Sequence, residues 1–407
     1  MAAAEQNWAR NLTYSAPVTH PASLEELQAV VGGANRVHAL GTRHSFSPCA
    51  DSDGVIVALD RMAPDLVVDP DARTVTVGSA IRLGDLGRQL HELGWAIAAM
   101  PSLQHISLGG AVATATHGSG DTIGMLATLV RALEVVGADG EVLRIEGNDL
   151  AGAVMSYGAL GVVTRVTMAV EPAFDILQDS FAGLAWDRAV DHLADVFAAA
   201  YSVSLFTPWT GSVVNALVKS RTLDRRTEFF GAPVQPQSPA DIGVETRTTP
   251  IAIPGPAWDR LPHFRLAAVP SVGEELQSEY FVPRARAVEA VEALRTMSAD
   301  VAPALHMTEL RTVAADGLWL SPAYQTDVLA IGFTWRDIPD LVFPLLPRIE
   351  ELLLPLGGRP HWAKLFHADA AVLAPLQPRW EAFRLLRDTR DPNRKFGNAF
   401  LAGALGA

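Results

Sequence analysis

Two short stretches of the chain combine residues able to do chemistry with residues small enough to let a ligand approach the main chain. The first is Gly41-Thr42-Arg43-His44-Ser45-Phe46, directly after the apolar run ending at Leu40. Glycine and small hydroxyl residues in such a turn let backbone N–H groups reach a phosphate-bearing ligand. A histidine fixed there can act as a base, a ligand or a covalent attachment point; the same spacing also suits a loop histidine that hydrogen-bonds locally. The second stretch is Leu108 to Gly120, LGGAVATATHGSG, which contains almost nothing large. Such a run either lets the backbone lie against an extended ligand, with donors for a pyrophosphate, or packs a tight small-residue interior. Only Arg43 is basic within 41–46 and 107–120, so an anion there would be met largely by backbone and hydroxyl donors.

Other chemistries lack their residues. No G-x-G-x-x-G follows a strand and no G-x-x-x-x-G-K-[ST] occurs, so the usual dinucleotide and P-loop fingerprints are missing. His91-Glu92 runs into Leu-Gly-Trp rather than toward a second histidine, and no His, Asp or Glu group has metal-ligand spacing, so no metal is expected. Gly118-Ser119-Gly120 is not a nucleophile elbow. Composition narrows the classes further. The 407 residues are 49% hydrophobic and 19% charged, too apolar for a disordered chain and long enough for two or three domains. The balance of 45 Asp+Glu against 32 Lys+Arg, net −13, argues against a nucleic-acid partner. The single Cys49 excludes an internal disulfide framework and leaves the 11 histidines as the chemical handle to follow. The first residues lack the basic and apolar regions of a signal peptide, and no apolar run nears the roughly 18 residues of a membrane span, so the expected setting is cytoplasmic, with no membrane partner.

The elements that must position these residues are legible in outline. Residues 23–34 read as a helix capped by Ser23 and ended by Gly32-Gly33. Short strands follow at 37–40, 55–59, 66–68 and 74–77, then helical spacing over 83–93. Asp139-Gly140 between two apolar runs predicts a hairpin over 131–145, and 160–170 is a further strand closed by Glu171-Pro172. This is an α+β pattern rather than a βαβ alternation. Beyond a boundary near 173, helices are expected at 187–200, 284–297, 338–354 and 378–388, strands near 305–312 and 328–335, and irregular structure over 221–256.

Taken together, GTRHSF, PSLQHIS, LGGAVATATHGSG and YGALGVVTRV resemble the FAD-binding domain of vanillyl-alcohol-oxidase-type flavoproteins, specifically the alditol oxidases. The segments AAYSVSLFT (199–207), LPHFR (261–265), ELQSEY (275–280), LRTVAADGLWLSPAY (310–324), FTW (333–335), RPHWAKLF (359–366) and FGNAF (396–400) extend the resemblance from about residue 8 to about 403. It implies an α+β PCMH-type FAD domain over 8–172, with the C-terminal ~370–407 packing back onto it, and a substrate domain over 173–407 whose mixed or antiparallel sheet covers the flavin. It implies one FAD per chain, tethered covalently through His44, with contacts from Leu40, Gly41, Thr42, Arg43, Ser45, Ser102, Ser107, Gly110, Ala111, Val112, Ala113, His117 and Val163. Thr42-Arg43 stands where relatives often carry Ser-Gly. Catalytic roles are implied for Glu309, Arg311 and Lys364, and polyol contacts for Ser102, Glu309, Arg311, Thr334 and Lys364. Alternation places Glu309 and Arg311 on one sheet face, a spacing that an exposed ion pair would share. Gly332 replaces a histidine that alditol oxidases carry two residues before the threonine, and Ala363 replaces a glycine. Pro101 falls where oxygen access is controlled, proline there accompanying oxidases.

The implied activity is oxidation of a sugar alcohol to an aldose, with oxygen reduced to hydrogen peroxide, by a monomer whose partners are polyol and oxygen. A sugar-lactone oxidase or dehydrogenase on the same scaffold, and a flavin-free carbohydrate-binding protein, are the rival expectations.

Overall fold

Alternating apolar and polar residues build two sheets of different character in the computed structural model, which describes residues 5–211, 213–235, 248–268 and 274–406. A five-stranded antiparallel sheet takes the order Val67–Asp69, Thr74–Gly78, Val162–Ala169, Val130–Val136, Val142–Glu146. Along Val162–Ala169, buried and half-buried residues alternate without a break, the period-2 signature of one face on a core. Beside it lies a parallel three-stranded sheet in which Val55–Ala58 sits between Val18–Thr19 and Val37–Leu40. The Asp139-Gly140 hairpin forms as expected, with Gly140 in the left-handed region at φ +84.

The second sheet has ten strands, and every pair in it is antiparallel. Its central strands are Ser202–Thr207, Leu305–Val313, Val328–Arg336 and Glu275–Pro283. One face is apolar: Leu205, Leu310, Leu329, Ile331, Phe333, Trp335, Leu276, Tyr280 and Val282 pack in a core with helices Ala287–Thr296 and Leu345–Leu353. Each such side chain, fully buried, contributes about 1.5–3 kcal/mol relative to exposure. The opposite face carries Gln277, Glu279, Met307, Glu309, Arg311, Gly332 and Thr334 toward a cavity. Residues about 370–406 return to the first half of the chain. Phe396 joins Leu27, Val31 and Val37 in a core, and Asn398 Nδ2 donates to the Cys49 and Asp51 carbonyls at 3.0 and 2.9 Å.

Several element boundaries differ from expectation. The helix expected over 187–200 is two, Trp186–Asp191 and Leu193–Ala198, broken where His192 leaves helical geometry at ψ +25. The 338–354 helix divides into Pro339–Val342 and Leu345–Leu353, with Pro344, which has no N–H to continue the first, at the join. Within 221–256, expected to be irregular, Glu228–Phe229 and Ala232–Gln235 pair as strands, while 236–247 lie outside the described residues. The strands Asp175–Ala185, Val213–Ser220 and Glu275–Pro283 went unpredicted. Among the described residues, no helix is long and apolar enough to cross a membrane.

Candidate active site

The two sheets are joined by a cavity of about 960 Å³ that runs from the 41–46 loop to the polar face of the ten-stranded sheet. At its first end the two small-residue segments meet. The Ser107 backbone N–H donates to Thr42 Oγ1 at 3.2 Å, and a Cβ on Gly41 would lie 2.5 Å from Ser107 Oγ, so only glycine allows this approach. Leu108–Ala113 is a short helix that divides the small residues: Leu108, Ala111, Val112 and Ala115 enter the core, while Gly109, Gly110, Ala113, Thr114, Thr116 and His117 line the cavity. The packing reading holds for the first group, the second leaves its backbone open to the cavity, and Ala111 belongs to both. Leu40, Gly41, Thr42, Arg43, His44, Ser45, Pro101, Ser102, Ser107 and Val163 also line it. Val112 does not; its side chain belongs to the core. Arg82, which lies outside the stretches singled out from sequence, adds a second basic group at this end.

His44 is held from both sides. Trp8 stacks on its ring at 5.4 Å, and the Trp8 N–H donates to the Arg43 carbonyl at 2.8 Å. Asn7 and Asn11 bind the Ser45 and Phe46 carbonyls, and Glu5 pairs with Arg43, so the N-terminal segment straps the loop. Arg43 itself is left-handed at φ +64, a conformation costing an L-residue roughly 1–2 kcal/mol. Burial pushes the His44 pKa down to about 4, so its ring is neutral at pH 7, and Nδ1 is buried without a partner. A neutral ring with an orphaned buried nitrogen, on a residue that lines a long cavity of small residues and hydroxyls, fits a bound FAD.

At the other end, Glu279 is the hub. Its side chain is 1% exposed, yet it accepts from Arg311 Nη2 at 2.7 Å and Lys364 Nζ at 3.0 Å, with His117 Nε2 at 3.2 Å. Burial alone would raise its pKa, but Lys364, His117 and Arg311 hold the carboxyl well below the usual range. Arg311 reaches Ser102 Oγ with Nη1 at 3.5 Å and lies 3.6 Å from Glu309 through Nε. Glu309 accepts from His263 Nε2 at 2.7 Å; burial opposes its ionisation, and Arg311 and His263 overcome that. His361 is neutral because burial pushes it down to about 3, and its Nδ1 accepts from the Ala363 N–H at 3.2 Å.

Glu309, Arg311, Lys364 and Ser102 are thus brought together, and Thr334 lies one sheet row further out, paired with Gln277 and Met307. Glu279, His263 and His361 were not singled out from sequence. The signal for Glu279 was present: in ELQSEYF, Glu275, Gln277 and Glu279 alternate with Leu276, Ser278 and Tyr280. Among the described residues, no group of His, Cys, Asp or Glu could hold a metal ion.

Comparison with known proteins agrees with this geometry. Residues 15–146 match the FAD binding domain family, and residues 273–403 match the D-arabinono-1,4-lactone oxidase family. The chain is 43% identical over 415 residues to alditol oxidase from a Streptomyces species, covering all of both chains. It is 29% identical to L-gulono-1,4-lactone dehydrogenase of Mycobacterium tuberculosis over 96% of each chain, and 26% identical to mouse L-gulonolactone oxidase over 97% of each. In fold it is similar to cholesterol oxidase from B. sterolicum, with a TM-score of 0.76 at 16% identity over 98% of this chain and 96% of that one. The chain belongs to the alditol oxidase family of FAD-binding, vanillyl-alcohol-oxidase-type flavoproteins.

Proposed function

We propose that the protein is an FAD-dependent oxidase of sugar alcohols that converts a terminal carbinol to an aldehyde, giving an aldose and hydrogen peroxide. The observation that carries this is the set of hydroxyl-binding groups on one side of the cavity: Ser102, Glu309, Arg311, Thr334 and Lys364, with Glu279 and Glu309 held ionised. FAD, when bound, would supply the two-electron acceptor for the carbinol hydride and the redox link to oxygen. Leu40 to Ser45, Ser107 and the 109–113 backbone would hold it, with His44 as the covalent tether.

The chain's own groups do the rest. Glu309 accepts hydrogen bonds from substrate hydroxyls, and Ser102 and Thr334 both donate and accept. Glu279 fixes Arg311 and Lys364, so two cations stand preorganised where negative charge develops on the reacting oxygen, without reorganisation at the moment of reaction. A site whose buried polar groups need hydroxyl partners rejects deoxy analogues strongly. Pro101 shapes the oxygen approach. In this reading residues 8–172 carry the cofactor, 173–407 carry the substrate wall, and the enzyme works as a cytoplasmic monomer.

Peroxide production against polyols from glycerol to sorbitol tests the proposal; a flavin that no polyol reduces overturns it. A lactone substrate is the second reading, favoured by the lactone-oxidase match over 273–403, the region that holds Glu279, Glu309, Arg311, Thr334 and Lys364. Anaerobic flavin reduction by L-gulono-1,4-lactone and not by xylitol selects it.

A further inference from the structure

One buried charge of the molecule has no role in the site as described so far. Lys219, on the Val213–Ser220 strand, is 1% exposed and has no carboxylate within ion-pair distance among the described residues. Burying an unpaired ammonium is costly, and packing alone would be better served by leucine or methionine. The ammonium instead meets three consecutive backbone carbonyls, Arg260 and Pro262 at 3.0 Å each and Leu261 between them. These are the carbonyls at the end of the short Ala257–Arg260 helix, which lack partners within the helix. Thr249 Oγ1 donates to the Pro262 carbonyl from the other side. The next residue is His263, whose Nε2 holds Glu309 at 2.7 Å and whose own N–H donates to the Ser102 carbonyl at 3.0 Å. The turn that Lys219 clamps therefore ends on the imidazole that orients one substrate-side carboxylate and on the backbone of the substrate-side serine.

We propose that Lys219 is a positioning residue for the active site: by tying down the 260–262 carbonyls it fixes His263, and through His263 the orientation of Glu309. The inference rests on Glu309 being a substrate contact, as the proposed function has it. Burial of the ammonium is consistent with the cost of the arrangement, pushing the Lys219 pKa down to about 7. Lys219 itself is not part of the cavity lining, so its loss should spare FAD content.

The test is a double-mutant cycle of Lys219→Met with His263→Ala in the flavin-loaded enzyme, alongside the melting temperature of each variant. Rates are taken per bound flavin, with xylitol or, if xylitol does not react with the wild type, with whichever alcohol or lactone does. A silent xylitol therefore counts against the substrate reading and leaves the clamp testable. Lys219→Met should lower kcat/KM on the order of 10- to 100-fold, the scale of an ångström's misplacement, raising KM as well as lowering kcat. Adding His263→Ala should cost roughly threefold or less beyond that, because both changes act through one contact. A loss that multiplies fully with His263→Ala, or one that lowers melting temperature and flavin content with KM unchanged, overturns the proposal. Should Lys219→Met not accumulate as folded protein, Thr249→Val removes only a hydroxyl that bonds the same turn at the Pro262 carbonyl. It should raise KM and again be less than multiplicative with His263→Ala, and unchanged kinetics there overturn the proposal equally.

Discussion

Glu279 and Glu309 stand in one row of the ten-stranded sheet, on either side of Gly332, which is register-paired with both. Arg311, in the next row, serves both carboxylates, at 2.7 Å from Glu279 and 3.6 Å from Glu309. Two ionised carboxylates this close would repel in a low-dielectric wall, and the shared guanidinium, with Lys364 on one and His263 on the other, is what permits the row.

Gly332 keeps the middle of that row open. A Cβ there would lie 3.2 Å from Glu279 Oε1, so Gly332→Ala requires the carboxylate to shift by a few tenths of an ångström. The expected result is a kcat lower by about 3- to 10-fold with FAD content unchanged, since only the aim of Arg311 and Lys364 is disturbed. Full activity in this variant would show that the carboxylate has slack.

Glu279→Gln removes the charge that holds both cations. With the pair broken from one side, buried Arg311 keeps only the more distant Glu309 and half-buried Lys364 loses its counter-charge, so the fold should lose up to about 3–5 kcal/mol, read as a lower melting temperature. Anaerobic bleaching of the bound flavin by xylitol should slow on the order of 100-fold. Unaltered bleaching would remove Glu279 from the machinery.

His44→Ala tests the tether. Acid-precipitated wild-type protein should form a yellow, fluorescent pellet, and the variant a colourless one with flavin left in the supernatant. A colourless wild-type pellet contradicts covalent attachment.

Stability should fall with acid before any carboxylate of the site titrates. His361, pushed down to about 3 by burial, stays neutral in the folded protein while the unfolded chain takes up a proton below its ordinary pKa of about 6.5. The unfolded state then binds more protons, so stability is lost as pH falls from 6.5 toward 3, by about 1.4 kcal/mol per pH unit for this group alone. His117 and His263, also lowered by burial, add in the same direction. Melting temperature measured between pH 7 and 5 should drop, and His361→Asn should flatten the slope; a flat wild-type profile refutes neutral buried histidines.

Much of this protein could be read from its residues. The alternation of Val162–Ala169, the Asp139-Gly140 turn and the Ser23 cap are local features, and local physics fixes them. The small-residue segments 41–46 and 108–120 stood out by composition, but their residues left a ligand-facing backbone and a tight interior equally open, and only the fold shows which of them line the cavity and which enter the core. Glu309, Arg311 and Lys364 were found through motif resemblance, and the fold brings them together. What stayed hidden depends on distance along the chain. Glu279 gains its role only when the Glu275–Pro283 strand lies beside Val328–Arg336 and Lys364, 85 positions further along the chain, folds over it. Lys219 looks like any strand lysine until the 260–262 turn closes on it, 41 to 43 residues away. The many histidines that the composition offered as chemical handles are likewise sorted only by tertiary burial, which leaves His44 Nδ1 buried without a hydrogen-bond partner and seats His117, His263 and His361 against the carboxylates and backbone of the opposite wall. Sequence determines residue type, period and turn chemistry; desolvation and long-range pairing, which set charge state and partner, exist only in the folded chain.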